Sequence, residues 1–457
     1  MAKEKRVINE NTPLMLLAGP MFAEMLLNIL VNNVDTMMLS HYSQNSVGAV
    51  GNANQILLFL NLMFNIIATA TSVVVAQYLG AKQYDKMNTI YTLAVSVNCV
   101  SGLLFSGAFV FSKKLILHAI DVPTEMLQDA YTYINIVGGT MVFLAMYNVM
   151  LQILRCNGFA NVGMIISIVI NVINVAGNYL FLYGPLKHLN LGVAGVALAT
   201  ATSRVVALIV AVVFFYVKKI GKFGFKYVRP FPFRLLVEMI KIGAPAAGEN
   251  MSYNLYQIFL LSIINGMGPD AVNAKVYSAT LVSLSMVFSN SAAMATQIIT
   301  GHLVGAGKED AAYKRVFLTL KISLPITVGL ATVNWLLSPL SLQLFTDNTV
   351  VIKYASYIML VDIAIEIGRC LNMTFVSSLK AAGDYIFPLI VGLIMMWGIG
   401  ATVGYTMGVG LGIGVAGVFM GTASDECLRG LVTMWRWRKQ KWRGKAIVKA
   451  KKNISEE

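Results

Sequence analysis

Charge is scarce in this 457-residue chain: Asp, Glu, Lys and Arg make up 12% of it, against 57% hydrophobic residues. Soluble domains carry about twice that share of charge, so a water-facing globular surface is excluded for most of its length. Histidine is scarce too, with four dispersed residues. No nucleophile sits beside a base and no metal-ligand spacing occurs, so no enzyme is expected. The four cysteines, Cys99, Cys156, Cys370 and Cys427, form no close pair, which leaves them as small packing residues. The Gly301–Lys308 stretch lacks the Gly-x-x-x-x-Gly-Lys-Ser/Thr order of a phosphate loop. Strict polar–apolar alternation, the mark of a membrane barrel, is missing as well.

Apolar runs of 20 or more residues fill the chain instead, and about 20 residues suffice for a helix to cross a bilayer. Turn signals divide them into twelve spans, with limits near 13–39, 46–76, 88–112, 126–154, 159–183 and 192–217, then 237–265, 271–303, 315–340, 352–378, 386–408 and 413–435. The expected fold is an all-α polytopic membrane protein. Its organisation reads as an N-terminal six-helix lobe over 1–217, a basic linker over 218–236, a C-terminal six-helix lobe over 237–435 and a basic tail over 436–457. Met1–Arg6 leads into a segment too long for a signal core, so the first helix is expected to stay in the mature protein.

The formal charge of +14 is arranged as a topology signal rather than as a nucleic-acid footprint. With the N terminus in the cytoplasm, every Lys and Arg falls in or beside a cytoplasmic segment except Lys113, Lys114, Lys187, Lys275 and Lys353, and Arg204 and Arg369 within spans. Both termini are therefore expected in the cytoplasm of a cell whose plasma membrane holds the chain. The basic clusters Lys218–Arg234 and Arg436–Lys452, the latter interleaved with Trp435, Trp437 and Trp442, suit anchoring at an anionic inner leaflet.

The chain also repeats itself. An offset of 225 places Pro20 on Pro245, Glu24 on Glu249, Ala70-Thr71 on Ala295-Thr296, Gly80-Ala81 on Gly305-Ala306, and Leu154-Arg155 with Gly158 on Leu379-Lys380 with Gly383. An offset of 222 then matches Gly192-Val-Ala-Gly195-Val with Gly414-Val-Ala-Gly417-Val, and Thr200 with Thr422. Six spans per half give both halves the same orientation, a parallel repeat about an axis along the membrane normal. Such repeats enclose a central cleft and rock to expose it alternately, which favours transport; a channel, lacking a continuous polar path here, is a weaker reading.

Within helix one, Glu24, Asn28, Asn32 and Asp35 follow at spacings of four, four and three, and so share one face. A carboxylate deep in a bilayer costs about 2.5–3.5 kcal/mol on insertion scales, so Asp35 is expected to face protein or water and to have a use. Asn171, Asn174 and Asn178 share a face of helix five, at the level of Asp35 and Thr200. One carboxylate with neutral oxygens suits a hard monovalent cation. At the offset of 225 Asp35 becomes Leu260, and Asn174 and Asn178 fall on apolar residues or glycine at either offset. The second half carries different charges: Glu249, Asp362, Glu366 and Arg369, and Asp425, Glu426 and Arg429. Glu366–Arg369 and Glu426–Arg429 are i,i+3 pairs able to neutralise one another, Glu249 is a candidate for binding a cationic substrate or a proton, and Glu24 is a candidate partner of Arg204. The 25 methionines suit core and lipid-facing positions, with an adaptable cavity as the sharper alternative.

The Pro and Glu of helices one and seven, Asp35, the Leu-Arg-x-x-Gly and Leu-Lys-x-x-Gly-Asp turns, and the Gly-Val-Ala-Gly-Val helix starts resemble the multidrug and toxic compound extrusion (MATE) family over nearly the whole chain. Glu366-x-Gly-Arg369-x-x-Asn372, Ala382-Gly383-Asp384 and Asp425-Glu426-x-x-Arg429 resemble a bacterial branch of it. The resemblance implies an antiporter exporting amphipathic, often cationic organic compounds against Na+ or H+. It places the ion at Asp35, Asn174, Asn178 and Thr200, with Asp35, Asn174 and Asn178 as metal ligands only where sodium is the ion. Some members have Asp where this chain has Asn178. No cofactor is expected, and a cleft within one chain makes a monomer sufficient. A flippase for lipid-linked saccharides is the alternative within the same architecture.

Overall fold

A computed structural model describes residues 8–119 and 122–448. The described residues form helices and connecting turns, without strands. We number the spans α1 (Leu14–Tyr42), α2 (Gln44–Gly80), α3 (Met87–Ala119), α4 (Thr124–Gly138 with Met141–Cys156), α5 (Ala160–Leu182) and α6 (Val193–Val217). The second set is α7 (Phe233–Asn265), α8 (Pro269–Gly305), α9 (Glu309–Leu336), α10 (Thr349–Ala381), α11 (Ile386–Gly410) and α12 (Val415–Arg438). Eight are long and apolar enough to cross a membrane, and α4 makes a ninth if its two parts, bent by 43° at Gly139-Thr140, are taken as one span. The remaining three, α7, α10 and α12, are the helices that carry Glu249, Glu366–Arg369 and Asp425–Arg429, and their charges lower their hydropathy without shortening them. The twelve expected spans are all present as helices. In lipid this is the economical solution, since each backbone amide is satisfied within its own segment. Outward faces are apolar, as at Leu103, Leu104, Phe111 and Leu115 of α3.

The chain divides into two compact units, and the division does not run between α6 and α7 alone. The first unit holds Ala23–Val75 and Gln83–Gly243; the second holds Ile8–Phe22, Ala76–Lys82 and everything from Ala244 onward. Short pieces of α1 and α2 therefore belong with the second half of the sequence. The first unit packs around Leu57, Phe64, Tyr133, Met141 and Val196, from α2, α4 and α6. The second packs around Tyr256, Leu260, Met359, Met396 and Val418, from α7, α10, α11 and α12.

Within the second unit, the ends of α2 and α8 cross in a contact that repeats itself. A Cβ on Gly80 would strike the backbone carbonyl of His302, and one on Gly305 would strike that of Gln77. Residues 77 and 80 are the partners of 302 and 305 at the offset of 225, so each helix lends a glycine to the other's backbone.

The tail is ordered by its own packing: Gln440–Val448 folds back on the second unit. Trp437 and Trp442 stack with ring centroids 4.2 Å apart, both fully buried, and only Trp435 of the three is exposed. Arg436 and Lys445 both reach Asp384, at 2.8 and 2.7 Å, and Arg443 pairs with Asp310. Gln77 fastens the end: its Nε2 donates to Ala381 O at 2.7 Å, and its Oε1 accepts from the amides of Ile447 and Val448 at 2.8 and 3.3 Å. Burial of two indoles outweighs what their amphipathic rings gain at an interface. Residues 449–457 lie outside the described residues.

Candidate functional site

In the first unit, α1, α5 and α6 converge on Asp35. A close approach sets this up: a Cβ on Gly177 would lie 2.7 Å from the Cβ of Ala199, so α5 and α6 touch where Asn178 and Thr200 follow in sequence. Asn178 Nδ2 donates to Asp35 Oδ1 at 2.7 Å. The Asn174 amide satisfies both neighbours with its nitrogen toward the carboxylate, 2.7 and 2.8 Å from Asp35 Oδ1 and Oδ2, and its oxygen accepting from Thr200 Oγ1 at 3.2 Å. Asn174 and Asn178 are buried. All four expected residues thus meet in one network.

Its polarity is the reverse of the expected cage of oxygens. The asparagines turn nitrogen to Asp35, since a carboxylate only accepts. Asn178 Oδ1 is left buried with no hydrogen-bond partner among the described residues. An unmatched buried acceptor costs free energy, and a cation or a proton on Asp35 would give it a partner.

A cavity of about 420 Å³ opens beside this network, wholly within the first unit. Asp35 and Thr200 line it together with Asn54, Asn61, Tyr133 and Arg204. The Tyr133 hydroxyl donates to Asn54 Oδ1 at 3.1 Å, and Asn148 Nδ2 donates to Asn61 Oδ1 at 3.1 Å. Apolar side chains, Leu57, Met141, Leu144 and Val196 among them, complete the wall.

The other acid of α1 has a different setting. Glu24 does not pair with Arg204; Arg155 of α4 takes it, with Nη2 2.8 and 2.7 Å from its two oxygens. Arg155 reaches it from the last turn of α4, where i,i+3 and i,i+4 neighbours offer no acid. Asn28 accepts from Ser167 Oγ at 2.9 Å, and Asn171 donates to the same Ser167 rather than to Asp35. The side chain of Asn32 lies outside the described residues.

In the second unit the expected charges do assemble. Arg369 pairs with Glu366, which also accepts from Ser289 at 3.2 Å. Arg429 meets Asp425 at 2.7 Å and Glu426 at 3.0 Å, and Asn372 donates to Glu426 at 2.9 Å. Glu249, which has no base nearby on its own helix, is held by Lys380 of α10 at 2.7 Å and approached by Arg429 of α12 at 4.0 Å. Sequence reasoning missed Arg155 and Lys380 as its ion-pair bases. The signal was available: the offset that aligns Glu24 with Glu249 also aligns Arg155 with Lys380. With Asp362, also buried, five acids stand against Lys380, Arg369 and Arg429. The surplus of negative charge requires protons or cations if these groups are to remain buried.

No cluster of three or more His, Cys, Asp or Glu residues suited to a transition metal occurs among the described residues. None of the four cysteines forms a disulfide, and Cys156 and Cys370 are buried.

Twelve helices in two repeated sets, with a carboxylate network beside a polar-lined cavity, define a polytopic membrane protein of repeat-built architecture. The model of the family described as MatE matches residues 20–180 and 245–406, one stretch in each repeat. The chain belongs to the MatE family. It is 34% identical over 444 residues to the uncharacterized transporter YisQ of Bacillus subtilis, covering 97% of this chain and 98% of that one. The probable multidrug resistance protein NorM of Thermotoga maritima is 22% identical over 436 residues, covering 94% and 93%. Among solved structures, a multidrug resistance MATE family transporter of the MOP superfamily, in an outward-facing conformation, superposes with a TM-score of 0.88 over 96% of this chain and 98% of that one, at 19% identity. A MOP superfamily transporter from Pyrococcus furiosus gives 0.86 over 93% and 95%, also at 19% identity. The two superpositions place the chain in their twelve-helix fold.

Proposed function

We propose that this chain is a secondary active exporter of amphipathic organic compounds, cationic groups among them, driven by the inward movement of Na+ or H+ through alternating access. The observation that carries the reading is the Asp35 network: a carboxylate held by two amides and a hydroxyl-bonded relay in the wall of a 420 Å³ cavity, without a counterpart in the second repeat. Multidrug resistance relatives and the family support the transport class.

With Asp35 ionised, its donors tie α5 to α1, and the carboxylate is free to draw an ammonium group into the cavity. An incoming cation neutralises that charge. The amides of Asn174 and Asn178 then have reason to turn their oxygens inward, toward Na+ or toward the proton of the acid, and Asn178 Oδ1 acquires the partner it lacks. The substrate loses its counter-charge and leaves, and the rearranged ties between α1 and α5 bias the repeat toward its other state. In this reading the positive-inside arrangement of the loops puts both termini in the cytoplasm, the chain sits in the plasma membrane, and one copy suffices for transport.

The test is efflux of a fluorescent cationic dye from proteoliposomes, with a sodium or a proton gradient imposed separately. Movement driven by one gradient and lost in Asp35→Asn is expected and names the ion. Dye that follows neither gradient for several such dyes rejects the antiport reading.

A further inference from the structure

Arg204 stands one turn beyond Thr200 on α6, about 6 Å along the helix axis, and lines the same cavity as Asp35. Three buried arginines meet acids, Arg155 with Glu24, Arg369 with Glu366 and Arg429 with Asp425, while Arg315, also buried, donates to the backbone carbonyl of Glu10 and lines no part of the cavity. Arg204 meets no acid among the described residues. Its Nη1 donates to Val137 O at 3.3 Å and lies 3.2 Å from Met141 Sδ, and neither group carries charge. A guanidinium has five N–H donors in a fixed fork. Among the described residues Arg204 makes no other side-chain hydrogen bond and no ion pair, and the residue lines the cavity.

A cation kept in a low-dielectric site without a counter-ion is unfavourable, so something that visits the cavity is the partner to look for. The planar fork selects that partner's shape: a carboxylate or comparable oxyanion accepts two parallel N–H bonds from it. Charge bookkeeping then decides between substrate classes. Ionised Asp35 and Arg204 sum to zero; a simple monocation brings the cavity to +1, while a zwitterion leaves it neutral and satisfies both ends. The apolar wall from Leu57, Met141, Leu144 and Val196 suits the body between two such groups.

We propose that Arg204 is the anion-recognising half of the substrate site, so that this cavity selects amphipathic organic zwitterions, with the acid group on Arg204 and the ammonium group on Asp35. The proposal rests on the exporter reading, which it narrows from cationic compounds to compounds that also carry an acid. When an ion neutralises Asp35, the ammonium end is released first and Arg204 keeps the acid end until the site opens.

The experiment is equilibrium binding of two dyes to the purified full-length chain in detergent, read by fluorescence anisotropy with no ion gradient. Rhodamine 110 carries a free carboxylate beside its cationic ring system; rhodamine 123 is its methyl ester. Binding of rhodamine 110 about tenfold tighter than rhodamine 123 is expected, the factor a charge-assisted hydrogen-bond pair supplies. Arg204→Gln is expected to abolish that preference by weakening rhodamine 110 alone, and Arg204→Lys to keep part of it. Equal binding of the two dyes by the unaltered chain overturns the proposal, whether or not Arg204→Gln folds; so does an Arg204→Gln protein that weakens both dyes alike. Because no gradient is used, a zwitterion preference without gradient-driven efflux removes the exporter reading and not the subsite. Gradient-driven efflux without the preference removes the subsite alone.

Discussion

Arg155 grips both carboxylate oxygens of Glu24, at 2.8 and 2.7 Å, between helices α4 and α1. At the offset of 225 the same bond reappears as Lys380 on Glu249, at 2.7 Å. The duplicated sequence thus carries a duplicated ion pair, with the base varied and the acid kept. The two copies differ in what stands behind them, because Glu249 has Arg429 at 4.0 Å as a second base and Glu24 has only Arg155 among the salt bridges of the described residues.

Removing the base is therefore expected to cost more in the first unit. Arg155→Met strands a buried carboxylate, a change that costs about 3–5 kcal/mol, whereas Lys380→Met leaves Glu249 with Arg429. Thermal unfolding in detergent should rank Arg155→Met below Lys380→Met, and Glu24→Gln combined with Arg155→Met should recover much of the loss. Equal midpoints for the two single variants would contradict this ranking.

The Asp35 network predicts unequal roles for two asparagines on one face of α5. Asn178→Ala removes a donor at 2.7 Å and the unpartnered oxygen offered to the ion; the driving-ion concentration for half-maximal efflux should rise roughly tenfold. Asn171→Ala breaks only a 3.3 Å contact to Ser167 and should leave that concentration within about twofold. Ion titrations of proteoliposome efflux separate the two outcomes.

Gly80 and Gly305 should not tolerate a methyl group. Alanine at either forces the ends of α2 and α8 apart, and overpacking of this kind costs about 1–3 kcal/mol. Gly107→Ala in α3, where a Cβ meets nothing within 4 Å, is the control; as a helix interior position it should gain up to about 1 kcal/mol. Thermal midpoints of the three variants check the sign in each case.

Gln77 should govern the tail from a distance of several hundred residues in sequence. Gln77→Leu deletes the acceptor for the amides of Ile447 and Val448 and the donor to Ala381. Hydrogen exchange at residues 445–448 should accelerate about 10- to 100-fold, corresponding to about 1–3 kcal/mol of local protection. Exchange unchanged from the parent protein would mean that the stacked Trp437 and Trp442 hold the tail without it.

Much of this architecture was legible in the residues. Length and apolarity place the helices, because a bilayer leaves the backbone few options, and the observed ends fall within about four residues of the expected ones except at the end of α3, Ala119 against 112, and the start of α9, Glu309 against 315. The Asp35 constellation was legible because α1 and α5 each display their polar groups on one face, where anything lipid-facing would be penalised. Partners across helices were harder. Depth alone suggests Arg204 as the partner of Glu24, but depth says nothing about rotation about the helix axis, and the structure gives Glu24 to Arg155. The orientation of the amides was also beyond the sequence, since Asn offers a donor and an acceptor of equal size and only the carboxylate decides which is used. The stacking of Trp437 on Trp442 was beyond the sequence too, because alternation with basic residues suits a membrane surface and a packed turn equally well. Helical breaks such as that at Gly139-Thr140 had no distinctive residue beyond a glycine pair at 138–139.

The membership of Ile8–Phe22 and Ala76–Lys82 in the second unit has a consequence for how the protein is made. Translation delivers these pieces long before Ala244 and the rest of their unit, so they must wait while the ribosome completes some 220 residues after Phe22 and some 160 after Lys82, the latter about 8–32 seconds at ordinary elongation rates. The first unit can close around its own core during that interval. The second cannot be finished until the final helix and its folded-back tail have left the ribosome, which makes nascent chains halted between α7 and α12 the ones with most need of protection from quality-control proteases.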